Sequence, residues 1–330
     1  MTTVFVATIG GHIAELVELA ERLGDEDQVW ITNDNAQTRD LLGDRTTIMV
    51  PFIGERDRLG VLKAMPQARQ IFKFYDVNRV VSTGSAIALG YLPVAAAMGI
   101  EAHYIESSTR VESCSVTGRL LTKTPGVKCW WQFDSAPDGF APIGSVYDRF
   151  ESVYRSANDR LQSVGAATGI SRTDAPVNTA PTIQRVVVTV GTTDRDFGRL
   201  IERLVAIMPP EVHVLWQTGS SKVDHLDIDA RPLVPESALK AAIEQCDVVV
   251  THAGAGSLAT VLNAGKAPVF VPRRAAYGEQ IDDHQLELAQ WADRQGLAVM
   301  AEADEVDLVH LQTAASFEIV SKPVGELVLA

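Results

Sequence analysis

Cysteine is scarce in this chain, and the three present lie far apart at Cys114, Cys129 and Cys246. No Cys-x-x-Cys spacing occurs, which argues against a zinc finger, and an odd number of distant cysteines argues against a disulfide scaffold. This cysteine usage is typical of a reducing compartment. We therefore expect a cytoplasmic protein.

Positively charged residues and long apolar runs are also few. The chain has 29 Lys and Arg against 42 Asp and Glu, and this formal net charge of -13 argues against nucleic acid as a partner. The longest apolar stretch, residues 86–100, is shorter than a membrane span and contains Pro93, so it predicts a buried helix with its flanking turn. The first residues form no basic leader, and we expect no signal peptide.

The length of 330 residues exceeds the size at which a single core keeps growing, which predicts two domains. Short apolar runs typical of strands alternate with helical stretches in both halves, which indicates parallel sheets covered on both faces. Small and polar residues between the two series predict a linker. We expect a Rossmann-like domain over 1–153, a linker over 154–184 and a second Rossmann-like domain over 185–330, whose last helix can pack back on the first domain. The predicted strands are residues 3–9, 28–31, 47–50, 79–82, 102–105, 185–190, 212–216, 247–251 and 268–271.

A glycine-rich loop at residues 252–257, His-Ala-Gly-Ala-Gly-Ser, follows the β-branched run Val248-Val249-Val250 and precedes a helical stretch at 258–264. Small residues let the backbone approach a ligand closely, and the first amides of a helix point outward without partners. Together with the helix dipole, those amides favour an anion such as a diphosphate. The alternative is a tight strand-to-helix turn that binds nothing.

The identity of the anion is narrowed by what surrounds this loop. Gly254-x-Gly256-x-x-Ala259 also fits the dinucleotide fingerprint, which requires an acidic residue at the end of the next strand. This chain has Pro272-Arg273-Arg274 there, and the loop lies late in its domain, so NAD is disfavoured. Asp227-Ile228-Asp229 has the Asp-x-Asp spacing of metal sites but lies in a polar run that we interpret as a solvated loop. We expect neither a metal nor a cofactor to be required.

Several motifs resemble those of known sugar transferases. Residues 188–193, 252–257, 265–266 and 283–289 resemble the catalytic subunit of the dolichol-pathway GlcNAc transferase. Gly10-Gly11-His12-x-x-Glu15, the segment 106–119 and Trp131-Gln132 resemble its membrane-recruiting partner subunit. The chain thus resembles a fusion of the two subunits, similar to bacterial exopolysaccharide glycosyltransferases and more distantly to the peptidoglycan GlcNAc transferase of family 28.

This resemblance implies a GT-B architecture with two facing Rossmann-like domains, and an inverting, metal-independent transfer from a UDP-sugar. The acceptor is implied to be a hydroxyl of a glycan, typically lipid-linked, in cell-surface polysaccharide or glycolipid synthesis. The implied acceptor-binding residues are Gly10, Gly11, Glu15, Arg110 and Arg119. The implied donor-binding residues are Gly191, Thr192, Thr193, Val234, His252, Gly254, Ala255, Gly256, Ser257, Glu279, Gln280 and Gln285.

Two departures from the resemblance concern the donor sugar. Related enzymes carry a glutamate for the ribose hydroxyls in the helix after the glycine loop, and Thr260 stands at the matching position. Arg273 and Arg274 resemble the exopolysaccharide branch, which uses glucuronic acid, galactose or glucose as well as GlcNAc. Either arginine is a candidate partner of a uronate carboxylate, or simply serves the diphosphate or solvent.

His12 is our first candidate for the base that takes the acceptor's proton. It follows two glycines at a strand end, and an imidazole titrates near neutral pH. It has the alternatives of capping its helix or contacting an acceptor phosphate. Glu106, at the end of another strand, is the competing base, and Glu15, one helical turn below His12, is a candidate to orient it. We expect His252 to shape the loop or to contact the diphosphate.

Residues 58–75 mix apolar side chains with the basic residues Arg58, Lys63, Arg69 and Lys73. A surface helix of this kind can dock on anionic lipid at the inner face of the membrane, although a helix packed on its own domain explains the same pattern. Two other functions stay open: a UDP-sugar transferase acting on a soluble small molecule, and a non-catalytic nucleotide-sugar binder, which Thr260 makes conceivable.

Overall fold

The computed structural model describes residues 2–54, 57–154, 162–163, 181–191 and 193–329. The chain forms two compact units. The first contains Met1–Asp148 and Val324–Ala330, and the second contains Arg149–Pro323. Most of the expected linker lies outside the described residues.

The first unit alternates strands with helices, as the sequence pattern predicts. Its strands are all parallel, in the order β3-β2-β1-β4-β5-β6-β7. The order reverses between β1 and β4, and α/β folds bind ligands at the carboxyl ends of strands at such a point. The elements are β1 (Thr2–Ala7), α1 (Gly11–Leu23), β2 (Asp27–Thr32), α2 (Ala36–Leu42), β3 (Thr47–Met49), α3 (Arg58–Phe74), β4 (Val77–Gly84), α4 (Ala86–Ala97), β5 (Glu101–Ile105), α5 (Val116–Leu121), β6 (Val127–Trp131) and β7 (Ala141–Pro142).

Two helices of this unit show how the sequence determines the elements. In α1, Leu16, Leu19 and Ala20 are buried on one face, and the helix ends at Gly24, whose φ of 69° is in the left-handed region that glycine adopts without strain. The apolar stretch 86–100 contains α4, which is buried against the sheet as expected. In the part of the chain that the structure describes, no helix is long and apolar enough to cross a membrane.

The second unit repeats the same strand order with a second parallel sheet, β12-β11-β10-β13-β14-β15. The order reverses between β10 and β13, so the glycine loop after β13 lies at the point where ligands are expected. Its elements are β8 (Phe150–Tyr154), β9 (Gln162–Ser163), β10 (Arg185–Thr189), α6 (Gly198–Ile207), β11 (His213–Gln217), β12 (Ala230–Arg231), α7 (Glu236–Gln245), β13 (Val248–His252), α8 (Ala255–Asn263), β14 (Val269–Val271), α9 (His284–Arg294), β15 (Val299–Met300), α10 (Leu308–Ala315) and β16 (Phe317–Ser321).

A small antiparallel sheet, β16-β8-β9, is absent from the sequence-based expectation. In this sheet Phe317 lies opposite Tyr154, with the two ring centroids 5.8 Å apart. Because β8 pairs with β16, the first unit ends at Asp148, a few residues before the expected boundary at 153.

The end of the chain contributes to both compact units. The last helix, α10, buries Leu311 and Ala314 in the core of the second unit. Residues Val324–Ala330 belong to the first unit, where the amide of Leu327 donates to the carbonyl of Arg22 at 3.0 Å.

Candidate active site

His12 lies at the carboxyl end of β1, in the crevice of the first unit. The turn before it needs Gly10, whose φ of 85° and ψ of -139° suit glycine alone. The half-buried ring places Nδ1 3.0 Å from the carbonyl oxygen of Thr83. Because a carbonyl can only accept, Nδ1 carries the proton and the lone pair of the neutral ring is on Nε2. The structure thus orients a basic nitrogen at the predicted position.

Glu106, the competing base, is 2% exposed and its carboxylate already has several donors. Oε1 accepts from the Tyr104 hydroxyl at 2.9 Å, and Oε2 accepts from the Ser115 amide and hydroxyl at 3.0 and 3.1 Å. Gly118 in α5 packs so closely on Oε2 that a Cβ there would collide with it. Burial raises the pKa of Glu106, while these hydrogen bonds oppose the shift. The carboxylate fixes the start of α5, and of the two candidate bases His12 is the accessible one.

Glu15 does not orient His12, which is a correction to the expectation. The side chain is 5% exposed, and its carboxylate accepts from the Ser107 hydroxyl at 2.9 Å, the Ser108 amide at 2.6 Å and the Gln132 amide group. It faces the loop after β5, which contains Ser107 and Ser108. Burial raises the pKa of Glu15 above its ordinary value, against the effect of these hydrogen bonds. Glu15 therefore ties α1 to the loop that begins at Glu106.

The predicted acceptor-binding arginines follow the same loop. Arg110 is half-buried, and its charge acts on Glu106 by lowering the pKa of that carboxyl. Arg119 is exposed in the last turn of α5. Burial raises the pKa of the Cys114 thiol, and the charges of Arg119 and Arg110 oppose this rise. A basic surface therefore lies along the loop and helix after β5, and its contact with an acceptor stays a prediction.

The glycine loop of the second unit contains the first turn of a helix. The helix α8 begins at Ala255 rather than at residue 258, and Gly254 precedes it with no side-chain cap. The amide of Ala253 donates to Val271 of the neighbouring strand at 3.0 Å. Gly254, Gly256 and Ser257 are partly exposed, and no acidic residue lies in the first turn. The helix start thus has no side-chain cap and partly exposed glycines, and its contact with an anion stays a prediction.

His252 explains why two residues of this site are glycine. A Cβ on Gly191 would lie 2.6 Å from Cε1 of His252, and one on Gly254 would lie 2.5 Å from Nε2. Gly191 also has a φ of 77°, whereas the backbone of Gly254 (φ -96°, ψ 140°) is open to any residue. Burial, with help from the charge of Arg273, lowers the pKa of His252 to about 3. A neutral imidazole thus fills the space between the loops that contain Gly191 and Gly254. This packing shapes the glycine loop.

Val234, predicted near the base of the nucleotide, is held by a residue that the sequence reading missed. The Gln217 side chain accepts from the Val234 amide at 3.1 Å and donates to the Thr189 hydroxyl at 3.0 Å. Gln217 follows the apolar residues Val214, Leu215 and Trp216 at the carboxyl end of β11, and a polar residue at that position is a sequence signal for a site. The bridge fixes the loop before α7 to the ends of β10 and β11.

Glu279, predicted to bind sugar hydroxyls, has a different partner. It is 5% exposed and pairs with Arg199 through two hydrogen bonds of 3.1 Å. Gln280 is half-buried and accepts from the Ile281 amide at 3.0 Å, and Gln285 is buried and accepts from the Arg273 amide at 3.0 Å. Gln285 and Glu279 thus brace the loop between β14 and α9, and any sugar contact by these residues stays a prediction.

Arg273 and Arg274, which follow β14, both have side-chain partners within the second unit. Arg273 is 1% exposed, and its guanidinium donates to backbone carbonyls. Arg274 donates to Glu302 at 2.5 Å and lies 3.4 Å from Asp283. Both side chains have partners within the unit, and a contact of either arginine with a uronate or the diphosphate stays a prediction.

Thr193, one of two adjacent threonines predicted to bind the donor, lies before α6 but does not cap it. Thr192 lies outside the described residues, and Thr193 lies 3.4 Å from Asp194. The start of α6 is served instead by Asp196, which accepts from the Gly198 amide at 2.8 Å. Thr260 donates to the carbonyl of Gly256 at 2.9 Å within α8. Its hydroxyl is thus bonded to its own helix where related enzymes have a glutamate.

Asp227 and Asp229 lie in an exposed loop, as interpreted from the sequence. Asp229 pairs with Arg231 at 2.7 Å. Among the described residues, no group of three or more His, Cys, Asp or Glu side chains is arranged to hold a metal ion.

Comparison with known proteins agrees with this geometry. Residues 185–316 match the glycosyltransferase family 28 C-terminal domain. A UDP-N-acetylglucosamine--N-acetylmuramyl-(pentapeptide) pyrophosphoryl-undecaprenol N-acetylglucosamine transferase of Wolinella succinogenes is 24% identical over 96% of this chain and 90% of that protein. The UDP-N-acetylglucosamine transferase subunit ALG13 of Mus musculus is 31% identical over 34% of this chain and 10% of that protein. The crystal structure of MurG from Acinetobacter baumannii aligns with a TM-score of 0.56 and 18% identity over 94% of this chain and 89% of that chain.

The extent of the similarity differs among relatives. This chain spans only 28% and 32% of the length of two other bacterial transferases with the same name as the Wolinella succinogenes protein. The fold is the GT-B fold of glycosyltransferases, with two Rossmann-like units built on parallel sheets. The chain is similar to the family 28 and MurG type of UDP-sugar glycosyltransferase, which confirms the predicted resemblance.

We predict that Gly254→Ala lowers the free energy of unfolding by about 1–3 kcal/mol, because the added Cβ collides with the His252 ring while the backbone tolerates alanine. Chemical denaturation measures this loss. In the double variant with His252→Ala the collision is absent, so the two changes should be non-additive and the double variant should recover part of the loss. Strict additivity of the two changes would contradict the packing argument.

We predict that Glu15→Gln gains stability relative to the native protein as the pH rises above 4.5, the ordinary pKa of the carboxyl. Because burial raises the pKa in the folded state, the unfolded chain loses its proton first, and the native protein loses stability between pH 4.5 and the raised pKa. Urea denaturation between pH 4.5 and 8 measures the difference between the two proteins. Glu21→Gln, on the exposed side of α1, is the matched control. A difference for Glu15→Gln that does not change with pH would refute the prediction.

Proposed function

We propose that this chain is an inverting, metal-independent glycosyltransferase that moves a sugar from a UDP-sugar to a hydroxyl of a lipid-linked glycan acceptor. The observation that carries the proposal is the glycine loop at the start of α8, which has no side-chain cap, is partly exposed at Gly254, Gly256 and Ser257, and lies in the part of the chain that matches the family 28 C-terminal domain. The relatives from bacteria and mouse support a UDP-sugar donor, since their names give UDP-N-acetylglucosamine as the substrate.

The donor's diphosphate is proposed to sit against the first amides of α8. Gly254, Gly256 and Ser257 have no large side chain between the backbone and a ligand, and the helix dipole places partial positive charge there. The same amides stabilise the charge that develops on the leaving diphosphate, which is the task that a metal ion performs in other transferases. This is why we propose a reaction without a metal.

His12 is proposed as the base. As the acceptor oxygen bonds to the anomeric carbon, the bond from that carbon to the diphosphate oxygen breaks, and the acceptor's proton moves to Nε2 of His12. The Nδ1 hydrogen bond to Thr83 holds the ring in the tautomer that this step needs. A single displacement of this kind inverts the configuration of the anomeric carbon.

The lipid-linked acceptor is supported by features of the first unit. Arg110 and Arg119 provide charge for a pyrophosphate beside the crevice. The helix α3 buries Ala64, Ala68 and Phe72 and exposes the opposite face. That face, the outer face of α3, is proposed to rest on the anionic inner surface of the membrane. It contains the exposed residues Arg58, Leu59, Leu62, Lys63, Arg69, Lys73 and Phe74.

We predict that the protein releases UDP from one member of a UDP-sugar panel when acceptor is present, and that EDTA leaves the rate unchanged. His12→Ala should lower kcat by about 100-fold to 10,000-fold, the usual contribution of a general base, while the affinity for UDP stays the same. A coupled UDP-release assay and calorimetry measure both quantities. His225→Ala, which removes an exposed imidazole paired with Glu202, is the control.

Each part of the proposal fails on a different outcome of that assay. UDP release from none of the donors would overturn the enzymatic function and favour a nucleotide-sugar binder. Loss of activity in EDTA would overturn the metal-free mechanism. Full turnover by His12→Ala would remove this residue from the role of base.

We predict that Leu59→Ser with Leu62→Ser reduces binding to vesicles of phosphatidylglycerol and phosphatidylcholine by about tenfold or more, because two inserted leucines each contribute about 1.5–3 kcal/mol when fully buried. Co-sedimentation measures the bound fraction, which should also fall with added salt. Val309→Ser, on the exposed side of α10, is the control. Equal binding by the leucine double variant and the native protein would argue for a soluble acceptor.

A further inference from the structure

Arg273 reaches across the second sheet at the edge that contains the glycine loop. It follows β14, and its Nη2 donates to the carbonyl of Val190, directly after β10, at 2.8 Å. In the sheet β13 lies between β10 and β14. The guanidinium therefore spans the carboxyl end of β13, the strand that leads into the glycine loop.

The same guanidinium also contacts the loop between β10 and α6. Its Nη1 donates to the carbonyls of Arg195 and Asp196 at 3.1 and 3.0 Å, and its Cζ lies 4.6 Å from the centroid of the Phe197 ring. Three carbonyls of the segment 190–196 thus converge on one side chain. That segment includes Gly191, which packs against His252.

The contacts of Arg273 differ from those of an ordinary buried ion pair. Buried arginines normally need a hydrogen-bonded carboxylate, but the acceptors of this guanidinium are backbone carbonyls, and within the described residues its Nε has no hydrogen-bond partner. Burial lowers the pKa of Arg273 to about 10, so the group stays positive at neutral pH. The charge also reaches His252, whose protonation it disfavours. The carboxylates of Glu279 and Asp196 also act on this charge and raise the pKa of Arg273, without a hydrogen bond to the guanidinium among the described residues.

We propose that Arg273 is the positioning residue of the donor site: it holds Val190, Arg195 and Asp196 beside the glycine loop and supplies a buried positive charge that favours a diphosphate there. This inference rests on the proposed function, because it assumes that a nucleoside diphosphate binds at the start of α8. An arginine with a purely structural task would stabilise the unit without distinguishing between ligands of different charge.

The test compares ligands that share a nucleoside and differ in phosphate. Calorimetry on the full chain gives the affinities for UDP, UMP and uridine. Arg273→Met should weaken UDP by about tenfold or more relative to uridine, since hydrogen bonds and charge around an anion are lost together. Arg273→Lys, which keeps a point charge but not the planar fork, should show a smaller loss in the same ratio.

Arg203→Lys is the matched control, because Arg203 is a half-buried arginine that also donates to a backbone carbonyl, that of Val306 at 2.8 Å. It should leave the ratio of UDP to uridine affinity unchanged. Should Arg273→Met not fold, Phe197→Leu removes the ring that the guanidinium stacks on. We expect a several-fold fall in the same ratio for that variant.

The inference is overturned if the Arg273 variants weaken UDP, UMP and uridine by the same factor, or if UDP affinity does not change. An unchanged ratio in Phe197→Leu would also count against it. Failure of the native protein to bind UDP would overturn the proposed function itself. Tight UDP binding by the native protein with an unchanged ratio in the variants would overturn the role of Arg273 alone.

Discussion

The packing of the His252 ring between Gly191 and Gly254 is the constraint on which the candidate donor site depends. The ring occupies the space where two loops meet at the reversal of strand order, and it leaves no room for a Cβ at either glycine. The glycines therefore make room for the ring. With the loops fixed in this way, α8 begins without a side-chain cap, and the dipole at such a helix start favours an anion.

Buried charged side chains fix the loops at the ligand-binding edges of both units. In the first unit, the carboxylates of Glu15 and Glu106 accept from the loop after β5 and from the start of α5. In the second, the guanidinium of Arg273 donates to the loop after β10. Each charge is placed where backbone groups would otherwise lack partners. Such contacts rigidify the surroundings of a site that must hold its geometry.

Local patterns predicted most of the fold and the place of the site. The strand β13, predicted over residues 247–251, is found at Val248–His252, because its run of three valines is a local signal. The pairing of β8 with β16 was missed, because it joins strands more than 150 residues apart that carry no shared motif. Side-chain partners were missed for the same reason: Glu279 meets Arg199, and Glu15 meets Gln132, only through the tertiary fold. Arg273 was interpreted as a loop residue, since no feature of the neighbouring sequence predicts that its side chain is buried.

Hydrogen–deuterium exchange of the full chain with and without UDP tests the central claim most directly, because it reports which amides the ligand covers. The account predicts that UDP slows exchange at residues 253–258, the start of α8, and at the segment 190–196. Protection confined to other segments, or no protection at saturating UDP, would contradict the assignment of the glycine loop as the diphosphate site.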